Sequence, residues 1–276
     1  MTRFTAACVQ MRSSRSVADN IAQAEALIRQ AAAAGAHYVQ TPEMTNILER
    51  SRADLMEKIT LEEQDPTLSR FRALAAELRI HLHAGSLAIL LPDGQVANRA
   101  FLIRPDGSIL ARYDKIHMFD VDLPNGESWR ESATYRPGEQ STLAALPWLT
   151  MGMAVCYDLR FPAIFRSQAR AGAAMLTMPA AFTRQTGQAH WHVLQRARAI
   201  ENGAFVVSAA QGGTHADGRE TFGHSLIVGP WGDVIAELDH DEPGVVLAEI
   251  DPEESLKARQ RIPAIANERS FALSGQ

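Results

Sequence analysis

The stretch Met151-Gly152-Met153-Ala154-Val155-Cys156-Tyr157-Asp158-Leu159-Arg160-Phe161-Pro162 decides the fold of this chain. Its apolar first half predicts a buried strand that ends at Cys156, and a polar turn follows. Pro162 then begins a helical pattern that closes at Gly172, since proline is favoured at the first helical position and glycine just past the last. Residues 173–178 predict another buried strand. Cys156 therefore lies either at the ligand-binding end of an open α/β sheet or in the core, where free cysteine is common.

The composition is that of an ordinary globular protein. Hydrophobic residues make up 46% and charged residues 21% of the 276 residues, which is enough to bury a large core and argues against disorder. No linker or break in composition divides the chain, so we predict one domain over residues 1–276 with a polar tail from about 262 to 276. The net charge of −5, with scattered Lys and Arg residues, argues against nucleic-acid binding.

The amino terminus and the cysteine content predict a cytoplasmic protein. Residues 1–8 are too short and too polar for a signal peptide, and no apolar run is long enough to span a membrane. The two cysteines are Cys8 and Cys156. A disulfide is not expected in a reducing compartment, and two cysteines are too few for a cysteine-based structural zinc site.

Periodicity and turn signals predict the remaining elements. Strands are expected at 4–10, 37–40, 80–90, 96–104, 108–113, 142–148, 204–210, 225–228, 234–238 and 245–250. Helices are expected at 17–34, from 65–66 to 78, at 188–202 and at 252–261. Loops are expected at 50–64, 116–141, 179–187 and 212–223. The aromatic residues of the segment 116–141 favour an ordered lid. The order of elements repeats in two halves, which predicts a layered α/β sandwich.

Three reactive side chains share one predicted position. Glu43, Lys115 and Cys156 each lie at or just past the carboxyl end of a predicted strand, so they converge if those strands are neighbours. A thiolate attacks a carbonyl carbon, and a glutamate accepts the thiol proton if burial raises its pKa. A lysine lowers the thiol pKa and donates a hydrogen bond to the oxyanion. The alternative is an exposed loop acid at Glu43 and a surface lysine at Lys115.

A histidine base for Cys156 is a competing hypothesis. His190 and His192 flank Trp191 near the start of a predicted helix, and His224 precedes a predicted strand. No sequence spacing identifies one of them as the partner of the cysteine, and residues two apart do not share a helix face. A zinc site built from these histidines is not expected either.

The motifs around the three reactive residues resemble the nitrilase superfamily of carbon–nitrogen hydrolases, and the resemblance covers nearly the whole chain. The matching segments, in the family's order and spacing, are Pro42-Glu43, Tyr113-Asp114-Lys115-Ile116-His117 and residues 155–162. The resemblance implies Cys156 as the nucleophile, Glu43 as the general base and Lys115 as the oxyanion stabiliser. It also implies a second glutamate from the lid, for which Glu131 matches better than Glu127.

The same resemblance implies a four-layer αββα sandwich. It also implies subunits that pair through helices beside the nucleophile, as a homodimer or a larger homo-oligomer, and no metal or organic cofactor. Within the superfamily the chain is most similar to the Nit branch, through residues 117–124, 181–183, 186–191 and 197–202.

Two activities are known in the Nit branch. One releases ammonia from α-ketoglutaramate-like ω-amides, and the other cleaves deaminated glutathione, which has the same glutaramate end but a cysteinylglycine leaving group. Residues 209–215 and 222–225 favour the deaminated-glutathione type. The partner is then a small-molecule amide, with no nucleic acid and no membrane. The reaction expected is hydrolysis through a thioester acyl-enzyme.

Several other residues are predicted to bind the substrate. Arg160 suits bidentate pairing with a substrate carboxylate, although a salt bridge to an acid such as Asp158 is an equal alternative. The other predicted substrate-binding residues are Tyr157, Phe119, Phe182 and Thr183. For Phe119 and Phe182, plain core packing is the alternative. Ala163 departs from the family pattern, which often has an acid there.

Other functions remain open from the residues alone. These are an ω-amidase, another small-amide or N-carbamoyl hydrolase, an acyltransferase that uses an amine in place of water, and a catalytically silent binding or scaffold protein. The intact set of Glu43, Lys115 and Cys156 argues against the silent protein.

Overall fold

The computed structural model describes residues 2–123, 126 and 128–275. Its strands are β1 (Phe4–Gln10), β2 (Tyr38–Gln40), β3 (His81–Leu90), β4 (Val96–Ile103), β5 (Ile109–Asp114), β6 (Asp120–Asp122), β7 (Ser128–Arg130), β8 (Thr142–Ala145), β9 (Thr150–Met153), β10 (Met175–Thr177), β11 (Phe205–Ser208), β12 (Gly212–Thr214), β13 (Glu220–Phe222), β14 (Leu226–Val228), β15 (Val234–Glu237) and β16 (Gly244–Ile250). Its helices are α1 (Val17–Ala33), α2 (Arg52–Met56), α3 (Pro66–Leu78), α4 (Pro162–Arg170), α5 (Arg184–Asn202) and α6 (Pro252–Arg261).

Two six-stranded mixed sheets organise the described part of the chain, with the strand orders β16-β1-β2-β3-β4-β5 and β15-β14-β11-β10-β9-β8. Each sheet has three parallel neighbours at its centre, β1-β2-β3 in one and β9-β10-β11 in the other. Antiparallel strands flank both sets. The predicted repetition of two similar halves is therefore confirmed.

The alternation of side chains between the two faces of β1 shows how the layers are stacked. Ala6 and Cys8 belong to the core that also contains the second sheet, whereas Ala7 and Val9 pack with α1 and α3 on the opposite face. Side chains of a strand alternate between faces, so the two sheets face each other and α1 and α3 cover the first from outside. Helices α4 and α5 pack on β9, β11 and β14 of the second sheet. The predicted four-layer αββα sandwich is confirmed.

Helix boundaries follow from local capping. The Asp65 side chain accepts a hydrogen bond from the Leu68 amide, and Pro66 occupies the first turn of α3. Helix α5 ends at Gly203, whose φ of 53° is left-handed, a conformation that glycine adopts without steric cost. No helix in the described ranges is long and apolar enough to cross a lipid bilayer.

Four predicted loops and one predicted strand need correction. Segment 50–64 contains α2, segment 116–141 contains the β6–β7 hairpin, and segment 212–223 contains the β12–β13 hairpin. These elements are too short for their apolar period to be detected. Helix α5 begins at Arg184, four residues earlier than predicted, because Gly187 belongs to its first turns rather than to a loop. Strand β8 stops at Ala145, two residues before Pro147, which cannot donate to a sheet.

Candidate active site

The turns after β2, β5 and β9 bring Glu43, Lys115 and Cys156 together on the wall of one cavity of about 320 Å³, which Glu131 also lines. The first three residues are 4%, 2% and 7% exposed, respectively. The convergence predicted from strand ends is therefore observed. The alternatives of an exposed loop acid at Glu43 and a surface lysine at Lys115 are wrong, because the two sheets close over these turns.

Lys115 is bonded to both glutamates. Its Nζ donates to Glu43 Oε1 at 2.9 Å and to Glu131 Oε1 and Oε2 at 3.0 and 2.7 Å. The Asn98 amide joins the same two side chains, with Nδ2 2.9 Å from Glu43 Oε1 and 3.1 Å from Glu131 Oε1. The buried Glu43 and the half-buried Glu131 are thus both held beside one ammonium, and such pairing is how buried charges are tolerated.

A backbone amide also donates to one oxygen of each carboxyl group. The Ala181 amide donates to Glu43 Oε2 at 2.9 Å, and the Phe119 amide donates to Glu131 Oε2 at 2.7 Å. Both glutamates therefore have fixed orientations. Glu131 begins a single helical turn after β7, so the hairpin of the predicted lid delivers it to the cavity. The alternative glutamate, Glu127, lies outside the described residues.

The charges of the site follow from these contacts. Burial raises the pKa of Glu43, but the charge of Lys115 and the hydrogen bonds that Glu43 accepts outweigh it and lower the pKa below the ordinary 4.5. Burial lowers the pKa of Lys115, but the charges of Glu131 and Glu43 raise it well above the ordinary 10.5. Burial and the charge of Glu43 raise the pKa of the Cys156 thiol well above its ordinary 9.0.

At neutral pH the site therefore holds a carboxylate, an ammonium and a neutral thiol. This corrects one sequence-based expectation. The pKa of Glu43 is lowered rather than raised, because Lys115 stabilises its charge. Lys115 does favour the Cys156 thiolate, but burial and Glu43 oppose it more strongly.

Cys156 lies on a tight turn. Its φ of 49° is left-handed, a conformation that costs a residue with a side chain about 1–2 kcal/mol. The Cys156 amide donates to Pro179 O at 2.9 Å, which anchors the turn to the segment after β10. The surrounding structure therefore maintains the strain, as is common at functional sites.

Asp158 ties this turn to the segment that carries Lys115. Its buried carboxylate accepts hydrogen bonds from the Val155 amide at 2.8 Å and from the Tyr113 hydroxyl at 2.7 Å. Those two bonds are accepted by Oδ2. The other oxygen, Oδ1, accepts a hydrogen bond from the His117 amide at 3.1 Å and lies 2.7 Å from His117 Nδ1. Asp158 thus positions the ends of β5 and β9 relative to each other.

Arg160 does not pair with Asp158. Its Nη1 lies 3.3 Å from His190 Nδ1, and its guanidinium lies 5.2 Å from the Phe182 ring centroid and 5.9 Å from that of Tyr157. Within the described ranges Arg160 makes no ion pair with a carboxylate. The predicted salt bridge is therefore wrong, because Asp158 is buried and already bonded.

The other predicted substrate-binding residues all lie on the cavity wall: Phe119, Tyr157, Phe182 and Thr183. Phe182 also packs on Trp191 with ring centroids 5.1 Å apart. Phe182 therefore both lines the cavity and packs in the core. Thr183 Oγ1 lies 2.8 Å from Thr186 Oγ1.

The histidine hypothesis is not supported by the geometry. His192 Nε2 lies 2.6 Å from Glu237 Oε1, and His224 Nδ1 lies 2.7 Å from the Phe222 carbonyl. Neither they nor His190 are among the described residues that line the cavity.

Two contributors to the site were missed at the sequence level. Asn98 is a single polar residue within a predicted strand, and no sequence motif marks it. It lies beside the glutamates only because of how the sheet is folded. Gly85 had a signal, since glycine inside a strand indicates a bulge or a close approach. A Cβ on Gly85 would lie 1.9 Å from Thr41 O and 2.4 Å from Pro179 Cβ, so this glycine lets the segments of Glu43 and Cys156 meet.

A family comparison agrees with this arrangement. Residues 5–260 match the family described as carbon-nitrogen hydrolase. The chain belongs to the carbon-nitrogen hydrolase family. As a member it is an enzyme that acts on amide carbon–nitrogen bonds, which sets aside the silent binding or scaffold protein.

Similar proteins place this carbon-nitrogen hydrolase in the Nit branch of the nitrilase superfamily. It is 36% identical over 269 residues to the deaminated glutathione amidase of Synechocystis sp. (strain PCC 6803 / GT-S), covering 96% of this chain and 98% of that protein. It is 34% identical over 275 residues to the omega-amidase NIT2 of Homo sapiens, covering 98% and 96%. The crystal structure of the C. elegans NitFhit protein has a TM-score of 0.91 at 32% identity over 97% of this chain, which spans 65% of that protein's length.

Proposed function

We propose that this enzyme hydrolyses a small, carboxylate-bearing amide of the deaminated-glutathione type through a thioester on Cys156. One observation carries the proposal. An ionised Glu43 lies beside a neutral Cys156 thiol, and both lie beside the Lys115 ammonium. A base, a nucleophile and an oxyanion donor therefore line one cavity in the protonation states that the first step needs.

In the first step the Cys156 sulfur attacks the amide carbon while its proton passes to Glu43. The negative charge that develops on the carbonyl oxygen is stabilised by Lys115 and by backbone amides after the nucleophile. Lys115 makes three hydrogen bonds before the substrate binds. One of its two hydrogen bonds to Glu131 is replaced by a hydrogen bond to the oxyanion. Glu43 then gives its proton to the departing amine nitrogen, and the C–N bond breaks to leave a thioester.

In the second step water attacks the thioester. Glu43 accepts a proton from this water, the carbon–sulfur bond breaks and the proton returns to the thiolate, so the acid product leaves and the enzyme is restored. Glu131 orients Lys115 and the attacking water. The cost of losing one oxyanion donor in such a site is about 3–4 kcal/mol of barrier.

The substrate assignment rests on the relative from Synechocystis and on Arg160. This arginine does not itself line the cavity, but its guanidinium lies beside the cavity rings of Tyr157 and Phe182 and has no carboxylate partner among the described residues, which suits the carboxylate of a glutaramate-type acyl group. Tyr157, Phe119, Phe182 and Thr183 then surround that group.

An ω-amidase acting on α-ketoglutaramate-like amides is the second candidate. The similarity to the human omega-amidase favours it, and the acyl part of both substrates is the same. The two candidates differ only in the leaving group, ammonia or cysteinylglycine. They therefore share the proposed roles of Glu43, Lys115 and Cys156.

The test compares free-acid release from deaminated glutathione and α-ketoglutaramate at equal enzyme concentration. We expect a large preference for the first, and a preference for the second moves the assignment to ω-amidase. Mass spectrometry of the trapped enzyme is expected to find an acyl adduct on the Cys156 peptide. Amide hydrolysis that survives Cys156→Ala contradicts the mechanism.

Further proposals concern the whole protein. We propose one domain over residues 1–276, a cytoplasmic location and a homodimer or larger homo-oligomer. The pairing surface is supported by exposed apolar side chains on and beside α5, where Val193, Ile200 and Trp231 are 68%, 53% and 56% exposed. Sedimentation velocity tests the oligomer, and a monomer at micromolar concentration contradicts it.

A further inference from the structure

A row of three aromatic rings runs along the cavity from the nucleophile. Tyr157 directly follows Cys156, its ring centroid lies 5.1 Å from that of Phe119, and Phe119 lies 6.4 Å from Trp129 on β7. All three line the cavity. Arg160 lies against the Tyr157 end of this row.

The opposite end of the row also has guanidinium groups. Arg50 and Arg219 lie 4.4 and 4.5 Å from the Trp129 ring centroid, and both line the cavity. A cation over an aromatic face is held electrostatically, so Trp129 positions both guanidinium groups while their N–H donors stay available. The row therefore has arginine at each end.

Among the described residues Arg50 has no carboxylate partner, and Arg219 has one long ion pair. Arg50 is exposed and makes no ion pair with a described residue. Arg219 has only Asp217, with Nη2 3.8 Å from Oδ2, which is beyond hydrogen-bonding distance. The buried Nε of Arg219 has no hydrogen-bond partner among the described residues.

Two other charged side chains of the same wall, Arg130 and Glu49, do have partners. Arg130 donates two bonds of 2.9 Å to Asp122, and Glu49 accepts bonds from Arg15 at 2.6 Å and Lys58 at 2.9 Å. Among the described residues, the Trp129 end of the cavity therefore has one guanidinium without an ion pair and one with only a long ion pair, and a ligand anion would supply the missing hydrogen bonds.

We propose that Arg50 and Arg219 form a subsite for a carboxylate on the leaving group of the substrate. The inference rests on the proposed function, in which Arg160 binds the acyl carboxylate. The substrate is then a dianion that spans the aromatic row, with its amide at Cys156 and a carboxylate at each end. Deaminated glutathione is of tripeptide size, about 10 Å long when extended, and the row comprises ring-to-ring steps of 5.1 and 6.4 Å.

This subsite accounts for a choice between the two candidate substrates. Ammonia has no carboxylate, so an ω-amide gains nothing from Arg50 and Arg219. A cysteinylglycine leaving group places its terminal carboxylate there. The enzyme then discriminates by the leaving group although the acyl pocket is the same. The arginines form charged hydrogen bonds with deaminated glutathione, whereas an ω-amide leaves them without a partner.

The test uses two substrates that differ at one group, namely deaminated glutathione and its glycine carboxamide. For the natural enzyme we expect kcat/KM to favour the carboxylate by about 10- to 100-fold, the range expected of charged hydrogen bonds. Arg50→Gln/Arg219→Gln is expected to lose most of that ratio. Arg50→Gln alone changes an exposed side chain, so it tests the subsite even if the double variant does not fold.

Arg136→Gln is the matched control. It removes one arginine that pairs with Asp93 outside this cavity, and we expect it to keep the natural ratio. The subsite is overturned if the natural enzyme hydrolyses both substrates equally well, or if the arginine variants slow both substrates by the same factor.

A binding measurement separates failure of the subsite from failure of the proposed function. Cys156→Ser is titrated calorimetrically with deaminated glutathione and with the carboxamide, with and without the arginine substitutions. If the natural enzyme hydrolyses neither compound, the proposed function fails. The subsite still stands if the carboxylate binds about 10-fold more tightly in an Arg219-dependent way, and equal affinities overturn it.

Discussion

Lys115 shows how one residue can organise a site. Its ammonium is buried between Glu43 and Glu131, and its charge holds the pKa of Glu43 below the ordinary value inside the sandwich. A buried ion pair is strongly destabilising when one partner is removed, so these side chains are coupled in stability as well as in chemistry. Substitutions here should therefore be near-isosteric.

Glu43→Gln tests the proposed base. The amide keeps the size of the side chain and its contacts with Ala181 but cannot accept the thiol proton, so we expect kcat/KM to fall by about 10²- to 10⁴-fold. Steady-state kinetics measures the fall, and circular dichroism checks the fold. The matched control is Glu77→Gln, a surface acid paired with Arg29, which should leave the rate unchanged. Wild-type activity in Glu43→Gln would refute the assignment.

The dependence of activity on pH follows from the two shifted groups. The reactive form has Glu43 ionised and Cys156 protonated. The pKa of Glu43 lies below 4.5 and that of Cys156 lies above 9.0. The reactive form is therefore the main one at every pH between these two pKa values. We expect kcat/KM to stay flat from pH 5 to pH 9, roughly the interval between the ordinary values of the two groups. An acid limb near pH 6 would instead indicate a histidine base.

At the scale of elements, the site depends on three turns that meet where the two sheets face each other. Gly85 on β3 allows this meeting, since β3 passes directly against Thr41 and Pro179. The pairing of β3 with β4 shifts register between Ala84 and Leu87, which is the local irregularity expected of a bulge.

Gly85→Ala is expected to destabilise the protein by about 1–3 kcal/mol or more, because the added methyl overlaps backbone that cannot move freely. It should also lower kcat, since the segments of Glu43 and Cys156 are pushed apart. Chemical denaturation and steady-state rates measure the two effects.

Gly94→Ala is the control for that substitution. Gly94 has a φ of 79°, and a Cβ added there would meet no other atom within 4 Å, so only backbone strain of about 1–2 kcal/mol is expected. A loss of stability with unchanged kcat is the result expected for Gly94→Ala. The same result for Gly85→Ala would show that the close approach does not position the site.

At the scale of the whole molecule, the space between the two sheets also buries polar groups. His83 on β3 is fully buried, and its Nδ1 lies 2.7 Å from the Tyr38 hydroxyl. Burial lowers the pKa of His83 from 6.5 to about 3. The folded protein therefore keeps this imidazole neutral where the unfolded chain protonates it.

The free energy of unfolding should consequently depend on pH through His83. Because its folded pKa is depressed, the stability is complete above pH 6.5 and is lost as the pH falls from 6.5 toward about 3. Denaturation curves at pH 7, 5.5 and 4.5 measure this loss. His83→Gln, which does not titrate, is expected to show a shallower slope over that interval, and an unchanged slope would contradict the assignment.

The sequence alone determined the elements and the chemistry that depend on local pattern. Apolar periodicity and proline or glycine signals identified the long strands and helices. The motifs at Glu43, Lys115 and residues 155–162 identified the family through their resemblance to it in order and spacing, and the strand ends predicted that the three side chains converge. The short hairpins escaped detection because their strands have too little periodicity, and the start of α5 escaped because Gly187 indicated a loop.

The environment of those residues depends on the tertiary fold. The burial of Lys115, the lowered pKa of Glu43 and the place of Asn98 between two glutamates depend on segments distant in the chain. The contacts of Arg50 and Arg219 with the Trp129 ring also depend on segments that are distant in the chain. The physical reason is that burial, electrostatic interactions and side-chain packing depend on distance in space, whereas a sequence pattern reports on neighbours along the chain.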